Sequence, residues 1–173
     1  MGVVVNVYHG TNEKFDNFNF SKVGKVNGID AGFGLYFTES EAESLTYGEN
    51  IFECVLTLKN GIHNEKITLS TNNIERILDE LFQQKRLNYY QNQDDIEYNI
   101  ISNLIKSSDS DTEIISDIIN ATGSVHDVLE ILSYLGYTHT IDEKTPLDET
   151  ITHYIIYDLN AIQIINKYTL ETR

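Results

Sequence analysis

The apolar residues of this chain change their spacing twice, and no Pro/Gly/Ser-rich linker separates the stretches so defined. Residues 1–64 read as strand and loop, residues 70–135 as helix, and residues 137–173 as strand again. A doubly wound sheet needs strands and helices in alternation, so strands, then helices, then strands point to an α+β fold. At 173 residues the chain fits one domain, 1–173, with a helical insertion over about 70–135.

In the first stretch, Val3 to Tyr8 is an expected strand ending at His9-Gly10, followed by an aromatic-rich loop over 10–34. Leu35-Tyr36-Phe37 is a short strand, Glu39 to Tyr47 a short helix with Thr38 as its N-cap, and Ile51 to Leu58 another strand. In the middle stretch, Ile74, Ile77, Leu78 and Leu81 recur at helical spacing. So do Ile96, Ile100, Ile101 and Leu104, and again Ile114, Ile115, Ile118 and Ile119. Ser124-Val125-His126-Asp127 opens a further helix as a variant capping box, and Gly136 stops it. These stripes are core-forming and carry no chemistry. Ile151 to Tyr157 and Ile162 to Tyr168 are expected strands, and Asp142 and Glu143 fall in a loop after Thr140.

Charge narrows the partners. Twelve basic residues against 27 acidic ones leave a net charge of −15, which opposes broad contact with nucleic-acid phosphates or anionic membrane and favours a basic partner. The single cysteine, Cys54, excludes a disulfide framework and a zinc cluster, and its strand-like flanks make it a small core hydrophobe. No segment approaches the roughly 20 apolar residues of a membrane span, and the first residues lack the basic start of a signal peptide. A soluble cytoplasmic protein without a metal centre is expected.

Two clusters carry candidate chemistry. In Tyr8-His9-Gly10-Thr11, a polar ring stands beside a backbone that a ligand can approach closely. In Gly34-Leu35-Tyr36-Phe37, a short strand is followed by Ser44 and Tyr47, three apart on one expected helix face. Two aromatic rings with a hydroxyl between them make a slot for a flat, amide-bearing ring.

Taken in order with His153-Tyr154-Ile155-Ile156-Tyr157-Asp158, these clusters resemble the ADP-ribosyltransferases of the diphtheria-toxin and poly(ADP-ribose) polymerase branch, the His-Tyr-Glu group. Phe15-x-x-Phe18, the Tyr-Phe-Thr strand and the terminal run from Tyr154 look most like the small bacterial and phage-encoded members. The resemblance spans residues 7–58 and 134–166. It implies a split β-sheet core and NAD⁺ as substrate. His9 would hydrogen-bond a ribose hydroxyl, Gly10 and Ser44 would hold the carboxamide, Tyr36 and Tyr47 would flank the nicotinamide, and Thr11 and Phe37 would complete the contacts. The implied activity is mono-ADP-ribosyl transfer to a protein target, itself basic or nucleic-acid-binding, in a phage or bacterial conflict.

One departure stands out. The third residue of the His-Tyr-Glu pattern is a Glu before the Tyr of the last motif, and this chain has His153 there. A neutral imidazole accepts a hydrogen bond but brings no fixed negative charge to a developing cation, so extension of ADP-ribose chains is not expected. If residues 149–157 form one regular strand, Glu149 shares a face with His153 while Asp158 faces away, which makes Glu149 the preferred substitute. Asp148, Asp142 and Glu143 are the other acids within reach. An NAD⁺ glycohydrolase, or an inactive fold that binds NAD⁺, ADP-ribose or a basic protein surface, remains as an alternative.

Overall fold

The structure is a computed structural model that describes residues 2–21, 34–83, 103, 106–122, 124–144 and 149–170. The helix expected around Ile96, Ile100, Ile101 and Leu104 lies outside the described residues, as does Asp148. The strands are β1 (Val3–Thr11), β2 (Leu35–Thr38), β3 (Asn50–Leu58), β4 (Asn60–Gly61), β5 (Tyr137–Lys144), β6 (Ile151–Ile156) and β7 (Ile162–Thr169). They form one sheet in the order β4-β5-β6-β2-β1-β3-β7, antiparallel except for the β4/β5 pair.

The sheet is nearly severed at its centre. β1 is zipped to β3 from Val3↔Leu58 to Thr11↔Asn50, but meets β2 at a single pair, Tyr8↔Thr38. The split sheet of an α+β ADP-ribosyltransferase-like fold is therefore present. Two expectations for these strands are corrected. β1 does not end at Tyr8: pairing with β3 carries His9, Gly10 and Thr11 inside the strand. Asp142 and Glu143 are not in a loop, because the β-branched run before them continues as β5 and pairs them with His153 and Thr152.

Helix α1 (Glu41–Ser44) runs straight into a 3₁₀ turn, Leu45–Tyr47. Its N-cap is Ser40, whose hydroxyl accepts from the Glu43 amide at 3.2 Å, and not Thr38. Thr38 is held in the sheet by partners on both sides, so it cannot also be the residue that turns the chain into the helix. Helices α2 (Thr71–Gln83), α3 (Asp111–Thr122) and α4 (Val125–Tyr134) follow. The α4 ends are as expected, with Ser124 accepting from the Asp127 amide at 3.3 Å and Gly136 at φ +88° beyond the C-cap.

Each sheet face has its own apolar cluster. The stripes Ile74, Ile77, Leu81 and Ile114, Ile115, Ile118 pack with Val128, Leu129 and Leu132 over Ile155 and Tyr157. Burying each such side chain contributes about 1.5–3 kcal/mol. On the other face, Val7, Phe52, Cys54 and Leu56 join Phe37, Tyr154 and Ile156, with Phe15 and Phe18 of the loop after β1 packed against them. Burial first, and neighbouring Glu53 second, push the Cys54 thiol up to about 12, so it is a core group and not a nucleophile. Among the described residues no helix is long and apolar enough to cross a membrane.

Candidate functional site

The site grows out of the sheet's split. Directly paired residues face the same way, so Tyr36, Thr38, His153, Tyr8 and Gly10 share one face. Helix α1 lies on that face above Gly10: a Cβ there would stand 1.8 Å from the Ser44 carbonyl oxygen, so only glycine lets the helix sit this close. The helix end then delivers Glu43 and Tyr47, four residues apart, onto His153.

His153 is 5% exposed, and both tyrosines meet its ring edge-on, Tyr36 at 6.3 Å and Tyr47 at 6.2 Å between centroids. The Tyr47 hydroxyl donates to Glu43 Oε1 at 3.4 Å and lies 3.4 Å from His153 Nε2, which is itself 3.6 Å from Glu43 Oε1. A carboxylate only accepts, so with the phenolic proton directed to Glu43 the tautomer of the ring that complements the pair carries its proton on Nε2. His153 Nδ1 is then a bare acceptor, buried and without a hydrogen bond among the described residues. Burial and the Glu43 charge both raise the Tyr47 hydroxyl's pKa, so it stays protonated.

His9 is placed differently. Its ring points to the opposite face, 5.3 Å from Phe37 and 5.1 Å from Phe18, with Phe15 and Phe52 also around it. Its Nδ1 is 2.6 Å from the Tyr36 carbonyl oxygen, across the gap where β1 and β2 part. Since a carbonyl only accepts, Nδ1 holds the proton. Burial lowers the ring's pKa more than that bond raises it, which leaves Nε2 as an acceptor.

The remaining expected residues divide. Ser44 is buried and donates to the Glu41 carbonyl at 2.7 Å, so it does not share an open face with Tyr47. Thr11 accepts from the Glu13 amide, and Phe37 is a core residue 1% exposed. Glu149 is exposed and precedes β6, so the regular strand that would align it with His153 begins too late. Asp158 caps the 3₁₀ turn after β6, accepting from the Asn160 amide at 3.0 Å. Asp142, opposite His153 on β5, is buried and accepts from Asn64 at 2.8 Å; Glu143 is exposed. The acid that meets His153 is Glu43, which sequence reasoning passed over. Its signal was the spacing of Glu43 and Tyr47, which stacks them on one helical face.

A cavity of about 480 Å³ opens elsewhere, beside Lys59, Asn60, Arg76 and Tyr137 at the start of β5, and none of these site residues lines it.

The family model for ADP-ribosyltransferases in polyvalent proteins matches residues 1–166, and the chain belongs to that family of transferases. Membership supports ADP-ribosyl transfer in general and implies NAD⁺ as the substrate. No curated protein matches the sequence. The crystal structure of an anti-CRISPR protein superposes with a TM-score of 0.41 at 15% identity, covering 95% of this chain and 96% of that one.

Proposed function

We propose that the chain is an NAD⁺-dependent mono-ADP-ribosyltransferase of the His-Tyr-Glu type acting on a protein target. The observation that carries this reading is the match of a transferase family over residues 1–166, joined to the clustering of Tyr36, Tyr47 and His153 on one face of the split sheet. Tyr36 and Tyr47 hold the nicotinamide, and Ser44, bonded to the Glu41 carbonyl, fixes over Gly10 the helix end that carries Tyr47. Thr11 and Phe37 shape the surrounding strands. His9, bonded through Nδ1 to the Tyr36 carbonyl, serves the site by fixing the strand that carries Tyr36.

In the reaction the bond from C1′ of the ribose to the nicotinamide nitrogen breaks, and its electron pair leaves with nicotinamide. The acceptor forms the new bond on the far face of C1′ and loses its proton to a base. Orientation of that centre supplies much of the rate, and charge stabilisation the rest. With a net charge of −15 the surface suits a basic target, such as a nucleic-acid-binding protein, and a phage or bacterial conflict is the setting we infer.

His153, where the pattern has Glu, favours a second reading, an inactive fold that binds NAD⁺ or ADP-ribose. Mass spectrometry of lysate proteins after incubation with purified protein and isotope-labelled NAD⁺ separates the two. Transfer predicts a labelled adduct on a specific protein. Free labelled ADP-ribose alone indicates a glycohydrolase, and intact NAD⁺ with measurable binding indicates the binder.

A further inference from the structure

The catalytic chemistry asks for negative charge next to the ribose, and the third motif position supplies only an imidazole. Three observations bear on where that charge comes from. Glu43 Oε1 lies 3.6 Å from His153 Nε2. The Tyr47 hydroxyl bridges the two groups at 3.4 Å to each. His153 Nδ1, on the far side of the ring, is buried with nothing to accept among the described residues. An orphaned buried acceptor is uncommon, and it marks where a donor belongs.

We infer that Glu43 is the acid of this site and acts through His153 as a positioning residue. Its carboxylate, with Tyr47, holds the Nε2–H of His153, so the ring presents Nδ1 as an acceptor for a ribose hydroxyl or for the proton of the attacking group. If Nδ1 takes that proton, the imidazolium formed is stabilised by Glu43 and later returns the proton to water. The contacts of 3.4–3.6 Å are long for hydrogen bonds, as is common for catalytic groups before substrate closes around them. The charge thus sits on the helix after β2 and not on β6. Glu149, outside β6 and exposed, has no such route to the imidazole.

This assignment rests on the transferase reading, and its test is built to fail separately from it. The measurement is steady-state NAD⁺ cleavage and adduct formation by wild type, Glu43→Gln, Glu43→Asp, Glu149→Gln, His153→Ala and the double variant Glu43→Gln/His153→Ala. NAD⁺ binding is titrated alongside. Glu43→Gln is expected to lower kcat about tenfold to a thousandfold with KM for NAD⁺ within about threefold, because the amide keeps shape and loses charge. Glu43→Asp is expected to recover part of that loss. The double variant is expected to be no slower than His153→Ala alone, since a group acting only through the imidazole has nothing left to act on. Wild-type kcat in Glu43→Gln overturns the assignment alone, as does a double variant whose losses multiply. A large loss in Glu149→Gln with Glu43→Gln unaffected moves the role to Glu149. A wild type that binds NAD⁺ and never cleaves it overturns the transferase reading, and this assignment with it.

Discussion

His9 donates from Nδ1 to the main-chain carbonyl of Tyr36 at 2.6 Å, and this bond spans the gap between the two halves of the sheet. Along β1 and β2 only Tyr8 and Thr38 pair, so here a side chain, and not the β1 backbone, reaches that carbonyl across the gap. The ring thereby fixes the strand that carries Tyr36 relative to the strand that carries Gly10.

Removal of the ring should therefore affect stability and ligand binding together. His9→Ala removes the bond to the Tyr36 carbonyl and opens a hole among Phe15, Phe18, Phe37 and Phe52, at an expected cost of about 1–3 kcal/mol for the lost bond alone. Urea denaturation and NAD⁺ titration of the same variant check this. Unchanged stability would remove His9 as the tie across the split, and unchanged affinity would show that the tie does not serve the Tyr36 side of the site.

Stability should also depend on pH through the histidines. Burial lowers the pKa of His9, and burial followed by the nearby His63 lowers that of His139. Both therefore bind protons more readily unfolded than folded. The stabilisation is complete above the unfolded value of about 6.5 and is lost as pH falls through the window between that value and the lowered folded ones. Unfolding free energies at pH 7.5, 6.5 and 5.5 should decline, and His9→Gln combined with His139→Gln should flatten the decline. An equal slope in the double variant would place the acid sensitivity elsewhere.

The nicotinamide slot makes a sharper claim. If Tyr36 and Tyr47 stack on the ring, replacing either by Ala should remove about 1 kcal/mol or more of NAD⁺ affinity beyond the area lost. Tyr47, 38% exposed, is the cleaner probe, because its removal disturbs little of the core. Full affinity in both folded variants would sink the slot.

The parts of this architecture that were legible in the sequence are those where a local pattern decides the outcome. The helical stripes of Ile74, Ile77 and Leu81 and of Ile114, Ile115 and Ile118 buried as expected, and Ser124 and Gly136 bounded α4 as their chemistry requires. Strand ends were misjudged where a distant partner decides them: β3 extends β1 through Gly10 although glycine in isolation reads as a stop, and β6 turns Asp142 and Glu143 into strand residues. Tyr36, Tyr47 and His153, far apart in sequence, lie together in the fold, but period-2 alternation puts His9 on the other face of the sheet, and motif order does not reveal that. Glu43 was missed because the search for an acid followed the strand around His153 and not the helix folded against it.

The last prediction concerns Asp111, the buried first residue of α3. Its carboxylate accepts from the backbone amides of His63, Thr68 and Leu69 at 3.1, 2.7 and 2.9 Å and from the Thr68 hydroxyl at 2.6 Å. Its own amide donates to the Lys66 carbonyl at 3.1 Å, so one side chain and one peptide group secure the loop between β4 and α2 to the insertion. A charge so deeply buried survives because four donors replace water and because it sits in the first turn of a helix, where the dipole favours it. Asp111→Ala would strand those donors, and each stranded group costs about 1–3 kcal/mol, so a substantial share of a typical domain's stability is at stake. Asp111→Asn is the decisive variant. It keeps the shape but turns one acceptor oxygen into an NH₂ facing donors, so it too should destabilise, by about 1–3 kcal/mol, with the urea m-value unchanged. NAD⁺ affinity should hold at temperatures where the variant stays folded, since the bonded groups lie in the loop before α2 and not on the elements that carry Tyr36, Tyr47 and His153. An Asn variant as stable as wild type would show that the loop is held by its apolar contacts, with Ile62 and Leu69 doing what is here ascribed to the carboxylate.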